Sequence, residues 1–239
     1  MNTTADTGAL PNGADIVAFH QACLALPDWP RDLPPGPSQV DATTQPATTQ
    51  PLDRRLQTAL WQWIEANHRF NSLLWAQEDL ARRTRVSDAE IAGNKRNIDR
   101  YNQARNDATE RVDELLLVAL GLVDETSAAG DAPVSTAAPG ARLNSETAGS
   151  MIDRLSIMSL KVHAMRLQTL RKDADEAHHE ASRVKLKRLQ GQRDDLAACL
   201  DDLIAASCAG QAYFKVYRQF KMYNDPRFNP VLVAEAAKR

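Results

Sequence analysis

Apolar residues recur every three to four positions in two stretches of the chain that contain no proline, and this spacing predicts long α-helices. The stretches run from residue 52 to 132 and from 140 to 225. Proline breaks a helix interior, so long helices are confined to these stretches. The pattern predicts four of them, over about 52–83, 87–122 and 150–181, with the fourth ending near residue 224 and Gly191 as a candidate break before it.

The starts of the second and third helices carry the capping-box pattern, in which a serine is followed three residues later by an acidic residue. Ser87 and Glu90 form it in the second helix, and Ser150 and Asp153 form it in the third. Runs of alternating β-branched residues bounded by turn signals are nearly absent, so strands are not predicted. The predicted fold class is all-α, as an antiparallel four-helix bundle with long helices and a flexible N-terminal extension.

Proline and small residues mark the domain boundaries. Residues 1–50 form an N-terminal extension with one short amphipathic helix, over about 15–26, and a Pro/Thr/Gln-rich linker. The helical bundle domain spans 51–232 and is interrupted by a flexible linker at about 124–145, and residues 233–239 form a C-terminal tail. We expect the short helix either to dock on the bundle or to bind a partner.

Ionisable and amide side chains replace apolar ones on the inward faces of the first two helices. On the first helix the apolar line through Leu60 and Ile64 continues as His68, Asn71, Trp75, Glu78, Asp79 and Arg82. On the second helix, a wheel of about 100° per residue centred on Ile98 places Lys95, Asn102, Arg105 and Asp113 inward and Asp99 and Asn106 on the flank. Burying such groups unpaired is costly, so this seam between the helices is the candidate site.

Two interpretations of the seam stay open. In the first, the polar groups form an internal network that fixes the register of the helices, or they reach solvent from half-buried positions. In the second, they line a ligand pocket between helices, which is where bundles place their sites. Gln211 and Arg218 align with the apolar stripe of the fourth helix and extend the seam in this interpretation.

Each residue type has a chemical role in the pocket interpretation. Guanidinium and ammonium groups suit a phosphate or carboxylate, amides orient hydroxyls, and carboxylates act as a base or hold a divalent cation. The catalytic candidates are Glu78, Asp79 and Asp99. The ligand-binding candidates are His68, Asn71, Trp75, Arg82, Lys95, Asn102, Arg105, Asn106, Gln211 and Arg218. We assign no metal site, and the sequence names no cofactor.

Composition narrows the function classes. The 239 residues carry a formal net charge of -2, which argues against non-specific nucleic-acid binding. The three cysteines have no metal-ligand spacing, and neither Glu78 nor Glu110 has the histidine three residues on that a di-iron bundle needs. No stretch approaches the roughly 20 apolar residues of a membrane span, and no leader peptide is recognisable, so we expect a cytoplasmic protein.

Two parts of the chain, rich in charged and amide residues, resemble a known family. They are residues 71–82 (NSLLWAQEDLAR) with 95–107 (KRNIDRYNQARND), and residues 149–161 (GSMIDRLSIMSLK). They are similar to the signatures of a bacterial helical family catalogued as domain of unknown function number 4254, over about 52–232. The resemblance implies a setting in bacterial cell-envelope glycan production, because members are commonly encoded beside glycosyltransferase genes. The motif positions of the family include Asp107, Asp153, Ser156 and Lys161. They also include Arg154, which the resemblance adds to the ligand-binding candidates.

The expected function combines the seam with this setting. The protein binds or processes an anionic sugar or nucleotide-sugar metabolite in cell-envelope glycan assembly, either as an enzyme or as an accessory protein. The alternative is a non-catalytic interaction or scaffold protein, in which the polar network sets helix register or a dimer interface. The partner is then a second copy of the chain or a glycosyltransferase.

Overall fold

The computed structural model describes residues 10–30, 52–218, 222 and 225–237, and for 52–55 it describes the backbone only. Seven helices and two short strands lie in this part of the chain. They are α1 (Gly13–Leu24), α2 (Leu52–Ala81), α3 (Asp88–Ala119), α4 (Glu125–Ala128), β1 (Arg142–Leu143), α5 (Ala148–Thr169), α6 (Glu176–Cys208), β2 (Ala212–Tyr213) and α7 (Pro230–Ala236). The described chain is all-α, as predicted, apart from the short parallel pairing of β1 with β2.

Two helical hairpins, α2–α3 and α5–α6, make up the body of the fold. α5 joins them, since it packs on α2 and α3 as well as on α6. The side chains of Asn67, His68 and Asn71 on α2 contact those of Asp153 and Ser156 on α5. The arrangement of the four long helices as one antiparallel bundle stays a prediction.

Two predicted helix boundaries are wrong. The break between the third and fourth helices lies at residues 170–175, where Asp175 caps α6 by accepting from the backbone N–H of His178, and Gly191 lies inside α6. The fourth helix ends at Cys208, because Gly210 adopts a φ of 69° that does not continue a helix. Residues 211–218 are therefore not helical.

The predicted caps are right at α3 and wrong at α5. Ser87 and Glu90 form the expected capping box at the start of α3. α5 begins at Ala148, because Thr147 is its cap and accepts from the backbone N–H of Ser150. The early start brings Gly149 against α3, where a Cβ would lie 2.6 Å from the Thr109 carbonyl oxygen. Only a residue without a side chain allows the two helices to cross this closely.

The short N-terminal helix α1 docks on the body of the protein. It packs on α5 and α6, and Ile16 and Val17 belong to the hydrophobic core. The backbone N–H of Gly13 donates to the Asp201 carboxylate at 2.7 Å, and a Cβ at Gly13 would lie 2.8 Å from Ala197 Cβ. The sequence left two roles open for this helix, docking on the bundle or binding a partner, and the structure shows it docked. The Pro/Thr/Gln-rich linker that follows lies outside the described residues.

The segment predicted as a linker at 124–145 contains α4 and β1 and is held by backbone hydrogen bonds. The N–H of Thr136 donates to the carbonyl of Leu122 at 2.7 Å, and the N–H of Arg142 donates to the carbonyl of Gln211 at 2.9 Å. Across the described chain, none of the helices combines the length and the hydropathy needed to cross a membrane.

Candidate functional site

A groove of about 680 Å³ opens where α5 meets the α2–α3 hairpin, and we call it the α2/α3/α5 groove. α2 and α3 supply its charged and amide side chains, whereas α5 supplies Ile157 and Leu160. Leu74, Trp75 and Ile98 extend the apolar part of the lining. A ligand in this groove meets polar groups from one hairpin and an apolar wall from α5, as is usual for small-molecule sites.

Most of the predicted site residues line this groove. They are Asn71, Trp75, Glu78, Asp79, Arg82, Lys95, Asp99, Asn102 and Arg105. The helical wheel placed them on one seam, and the antiparallel pairing of α2 with α3 brings the two sets together. The carboxylates proposed for catalysis are thus in the same groove as the amides and cations proposed for binding.

The remaining predicted residues do not line the groove. His68 and Asn106 are buried in the protein next to it. Arg154 lines a second groove on another side of α5. The side chain of Gln211 is exposed, and its backbone pairs with Arg142.

Arg218 connects the C-terminal segment to the far end of α3. Its guanidinium forms ion pairs with Glu110 and Glu114. It also donates to the carbonyl oxygens of Ala128 and Gly130, at 3.1 and 2.8 Å. These partners occupy its donors, and the structure does not bring it to the anion position that the sequence suggested.

A buried amide network, made of Asn67, Asn71, Asp153, Ser156 and Thr109, lies beneath the groove. Asp153 Oδ1 accepts hydrogen bonds from the side-chain amides of Asn67 and Asn71, both at 2.8 Å. Asn71 also contacts Ser156 Oγ at 3.0 Å, and Asn67 donates to Thr109 Oγ1 at 3.1 Å. The network joins α2, α3 and α5 through satisfied groups, which is the geometry expected of side chains that fix register.

Three rings stack at the edge of this network. The His68 ring centroid lies 4.3 Å from that of His20 and 5.4 Å from that of Trp29. His68 Nδ1 lies 2.8 Å from Ser156 Oγ, and because Ser156 accepts from Asn71, its own proton can point at His68. Burial lowers the pKa of His68 to about 3 and lowers the pKa of His20 well below its ordinary value. Both rings are therefore neutral at neutral pH.

Arg105 is the most enclosed cation of the groove, with 24% of its side chain exposed against 69% for Arg82 and 65% for Lys95. Its Nη2 donates to Asn106 Oδ1 at 2.8 Å. Its Nη1 lies 3.7 Å from Asp153 Oδ2, which is an ion pair but too long for a hydrogen bond. Its Nε is buried and has no partner among the described residues. Of the five guanidinium donors, only one makes a hydrogen bond to a described residue, so Arg105 is incompletely paired.

The more exposed charges of the groove pair within their own helices. Arg82 pairs with Glu78 on α2, and Lys95 pairs with Asp99 on α3. Asp79 has no ion-pair partner, and the Asn102 amide has no hydrogen-bond partner, among the residues that the structure describes. Exposed pairs one turn apart contribute little to stability, so these charges are not needed to hold the helices together.

The carboxylates of the groove do not form a metal-binding cluster. Within the described ranges, no three histidine, cysteine, aspartate or glutamate side chains are placed to hold one ion. Glu78, Asp79 and Asp99 line the same groove without converging on a single point.

Asp113 faces inward on α3, as the helical wheel predicts, but it lies at the closed end of the seam. Its Oδ1 accepts from the backbone N–H of Gly149 at 2.6 Å, at the start of α5. Burial raises the pKa of Asp113 to about 7, although hydrogen bonds from Thr147 and Gly149 oppose this shift. Asp113 therefore joins α3 to the N-terminus of α5 and does not take part in the groove.

A known family matches the part of the chain that forms the α2/α3/α5 groove and the buried amide network. Residues 61–216 match the family described as protein of unknown function DUF4254. The chain belongs to the DUF4254 family. The match is shorter at both ends than the 52–232 that the sequence motifs indicated. No curated protein and no solved structure matches the chain.

The DUF4254 stretch contains the groove and the buried amide network but not α1. His20 and Trp29, which stack on His68, therefore come from outside the matched residues. They cover one side of the network from a segment that the family resemblance left out.

Sequence reasoning missed several members of the network. Asn67 precedes Asn71 by one turn of α2 and would be found by extending the same wheel backwards. Asp153 was predicted as the acidic residue of a capping box, and Ser156 appeared only as a motif position. The available signal was two polar residues three positions apart among the apolar residues of α5. No local pattern in the sequence pointed to His20 or Trp29 as neighbours of His68.

Proposed function

We propose that DUF4254 proteins of this type bind an anionic sugar or nucleotide-sugar metabolite in the α2/α3/α5 groove. The observation that carries the proposal is Arg105, an enclosed guanidinium with a buried, unpartnered Nε and only one short hydrogen bond. A cation that is partly desolvated and incompletely paired interacts strongly with a phosphate or carboxylate. Lys95, on the same side of α3, supplies a second cation at the more open part of the groove.

Uncharged parts of the lining suit a sugar. The Asn102 amide is without a protein partner in the described chain and can donate to and accept from hydroxyls. Trp75 lines the groove and is 37% exposed, so its ring offers a flat apolar face to a sugar or a nucleobase. Asp79, which has no ion-pair partner among the described residues, can accept from hydroxyl groups or serve as a base.

We extend the proposal to the cellular setting of the protein and to the reaction that it would catalyse. The protein acts in the cytoplasm of a bacterial cell, in cell-envelope glycan assembly, as an enzyme or as an accessory protein beside a glycosyltransferase. In the enzyme version, Glu78, Asp79 or Asp99 is the base that acts on the bound sugar. The family setting supports the glycan assignment, and the groove supports the anionic ligand.

A second candidate function is favoured by the buried amide network. Asn67, Asn71 and Asp153 are well satisfied by one another, and they would hold α2, α3 and α5 in register with no ligand at all. In this version the protein is a scaffold whose helices bind a second copy or a glycosyltransferase, and the groove residues are solvated surface charges.

A thermal-shift screen separates the two candidates. The wild-type protein, Arg105→Ala and the control Arg96→Ala are tested with a nucleotide sugar such as UDP-glucuronate, a sugar phosphate and inorganic phosphate. Arg96 is an exposed arginine of the same helix that does not line the groove. Ligand binding to the folded state raises the melting temperature, and the stabilisation grows with the logarithm of the ligand concentration divided by Kd.

The binding proposal predicts that a sugar ligand stabilises the wild type and Arg96→Ala but not Arg105→Ala. A panel that stabilises none of the three proteins contradicts it. So does equal stabilisation of all three, because the ligand then binds outside the groove.

A further inference from the structure

A second groove, of about 820 Å³, lies between α5 and α6, and we call it the α5/α6 groove. Its polar lining comes from residues 144–146, α5 and α6, with Arg154, Lys161, Gln192 and Asp195 among them. Its apolar lining includes Met158 and Leu196. Ile157 lines both this groove and the α2/α3/α5 groove, so the two adjoin across one residue of α5.

The sequence of α5 explains why the grooves adjoin. Asp153 and Leu160 are seven residues apart and share one side of the helix, which meets the first groove. Arg154 and Lys161 are also seven residues apart, and they share the neighbouring side of the helix, about 100° further round its axis, which meets the second groove. Ile157 follows Asp153 by four residues and Arg154 by three, so it lies between these two sides of the helix. A ligand can therefore cross from one groove to the other over a single apolar side chain.

The two grooves carry the same kinds of chemical group. The first has Arg105, an incompletely paired cation, and also Asp79 and the Asn102 amide, for which the described residues provide no ion-pair or hydrogen-bond partner. The second has Lys161 and Asp195, neither of which has an ion-pair partner in the described chain, and the amide of Gln192. Arg154 differs, because it is paired with Glu146. When the pairs Arg82–Glu78, Lys95–Asp99 and Arg154–Glu146 are set aside, one cation, one carboxylate and an amide are left on each side of Ile157 among the described residues.

We infer that the two grooves together bind an extended, hydroxyl-rich glycan that carries an anionic group on some of its sugars. This inference rests on the proposed function and names its substrate class as an oligosaccharide rather than a single metabolite. A repeating ligand explains why the same set of groups recurs. From Asp153 to Lys161 α5 rises by about 12 Å, which is longer than one hexose. The carboxylates in both grooves would repel a densely charged polyanion, so widely spaced anionic groups fit the lining best.

The test measures how affinity depends on ligand length. Hyaluronan oligosaccharides, which carry one carboxylate per disaccharide, are titrated as the disaccharide, the tetrasaccharide and the hexasaccharide. Neutral chitin oligosaccharides of the same lengths are the ligand control. The proteins are wild type, Arg105→Ala, Lys161→Ala and Lys161→Gln. The control variant is Lys185→Ala, an exposed lysine of α6 that lines neither groove.

We expect the tetrasaccharide to bind the wild type and Lys185→Ala at least about tenfold more tightly than the disaccharide, because the second groove is filled without a second loss of translational freedom. In both Lys161 variants this ratio falls towards one. Arg105→Ala weakens binding at every length, and the neutral series binds more weakly than the charged one.

Equal affinity for all lengths in the wild type overturns the inference, and so does a ratio in the Lys161 variants that matches Lys185→Ala. Either result is still compatible with the proposed function if the disaccharide or UDP-glucuronate binds to the wild type and this binding depends on Arg105. If no charged sugar of any length binds, the proposed function itself is contradicted.

Discussion

The two ends of the seam between α2, α3 and α5 begin from the same sequence pattern and differ in how their polar groups are paired. At the closed end, Asn67 and Asn71 on α2 are buried and hydrogen-bonded across helices to Asp153 on α5. At the open end, Lys95 and Asp99 are exposed and pair with each other along α3. Polar groups at the closed end therefore hold helices together, whereas those at the open end remain available to a ligand.

Arg105 lies at the boundary between these two ends. It reaches Asp153 of the buried amide network at ion-pair distance, and it also lines the groove. A residue with this position can serve either end, so its substitution is the most informative one. Substitutions along the seam test whether its closed end is structural and its open end is available to a ligand.

The largest effect is expected from Asp153→Ala. The substitution removes the acceptor of two buried amides and the anionic partner of Arg105. Leaving such groups unpaired is expected to lower the free energy of unfolding by about 3–5 kcal/mol. Urea unfolding measures the change, with Asp107→Ala, an exposed aspartate of α3, as the control. A loss for Asp153→Ala no larger than that of the control would mean that the network does not hold the helices together.

A smaller loss is expected where α3 and α5 cross. Gly149→Ala places a Cβ 2.6 Å from the Thr109 carbonyl oxygen, so the helices must separate, at a cost of about 1–3 kcal/mol. Gly191→Ala is the matched control, because it lies inside α6 with nothing within 4 Å of the added Cβ. The control should stabilise the protein by up to about 1 kcal/mol, since alanine favours helix. Thermal unfolding of both variants measures this, and two shifts of the same sign would contradict the close crossing.

The stacked histidines predict a loss of stability in weak acid. The pKa of His68 is lowered to about 3 in the folded protein and is near 6.5 in the unfolded chain, and that of His20 is lowered in the same direction. The unfolded chain therefore takes up protons first as the pH falls below about 6.5. The loss is at most about 1.4 kcal/mol per pH unit for each histidine, down towards the folded pKa.

The measurement for the histidines is the free energy of unfolding at several values between about pH 7 and about pH 5. His20→Phe keeps an aromatic ring in the stack and removes one titrating group, so its free energy of unfolding should fall less steeply with falling pH than that of the wild type, by up to about 1.4 kcal/mol per pH unit. Asp113, whose pKa is raised to about 7, takes up a proton in the folded state over this range and opposes the loss equally in both proteins. Equal slopes for the two proteins would show that the fold does not lower the pKa of His20.

The smallest effect on stability is expected at the open end. Lys95→Ala removes one exposed pair within α3 and should change the free energy of unfolding by less than about 0.5 kcal/mol. It should, however, weaken binding of UDP-glucuronate in a titration, since Lys95 lines the groove. A large loss of stability here would mean that the open end is also structural, and the comparison would fail.

The sequence predicted the lining of the groove better than the layer beneath it. Two helices joined by a short turn must be antiparallel neighbours, so the wheel could place Asn71 and Arg105 on one seam. The position of α5 depends on contacts far apart in sequence, such as Asn67 with Asp153. No local periodicity encodes such contacts, and for this reason the role of Asp153 was not foreseen.

The end of α6 was also mispredicted, because helical periodicity alone does not show where a helix stops. Apolar residues continue at helical spacing past Cys208, and this periodicity led to a fourth helix that reached residue 224. The chain instead turns at Gly210 and pairs β2 with β1, so that Phe214 is buried from a non-helical segment. Arg218 is thereby carried to Glu110 and Glu114 rather than to the groove. A single backbone conformation at a glycine thus decided where a predicted site residue lies.

The most direct test of the central claim is a paired measurement on Arg105→Ala. Urea unfolding and titration with UDP-glucuronate are carried out on the variant, on the wild type and on Arg96→Ala. We predict at least a tenfold loss of affinity, about 1.4 kcal/mol of binding free energy, with a smaller loss in the free energy of unfolding. A loss of about 3–5 kcal/mol in unfolding with no change in affinity would contradict the claim and assign Arg105 to the buried amide network alone.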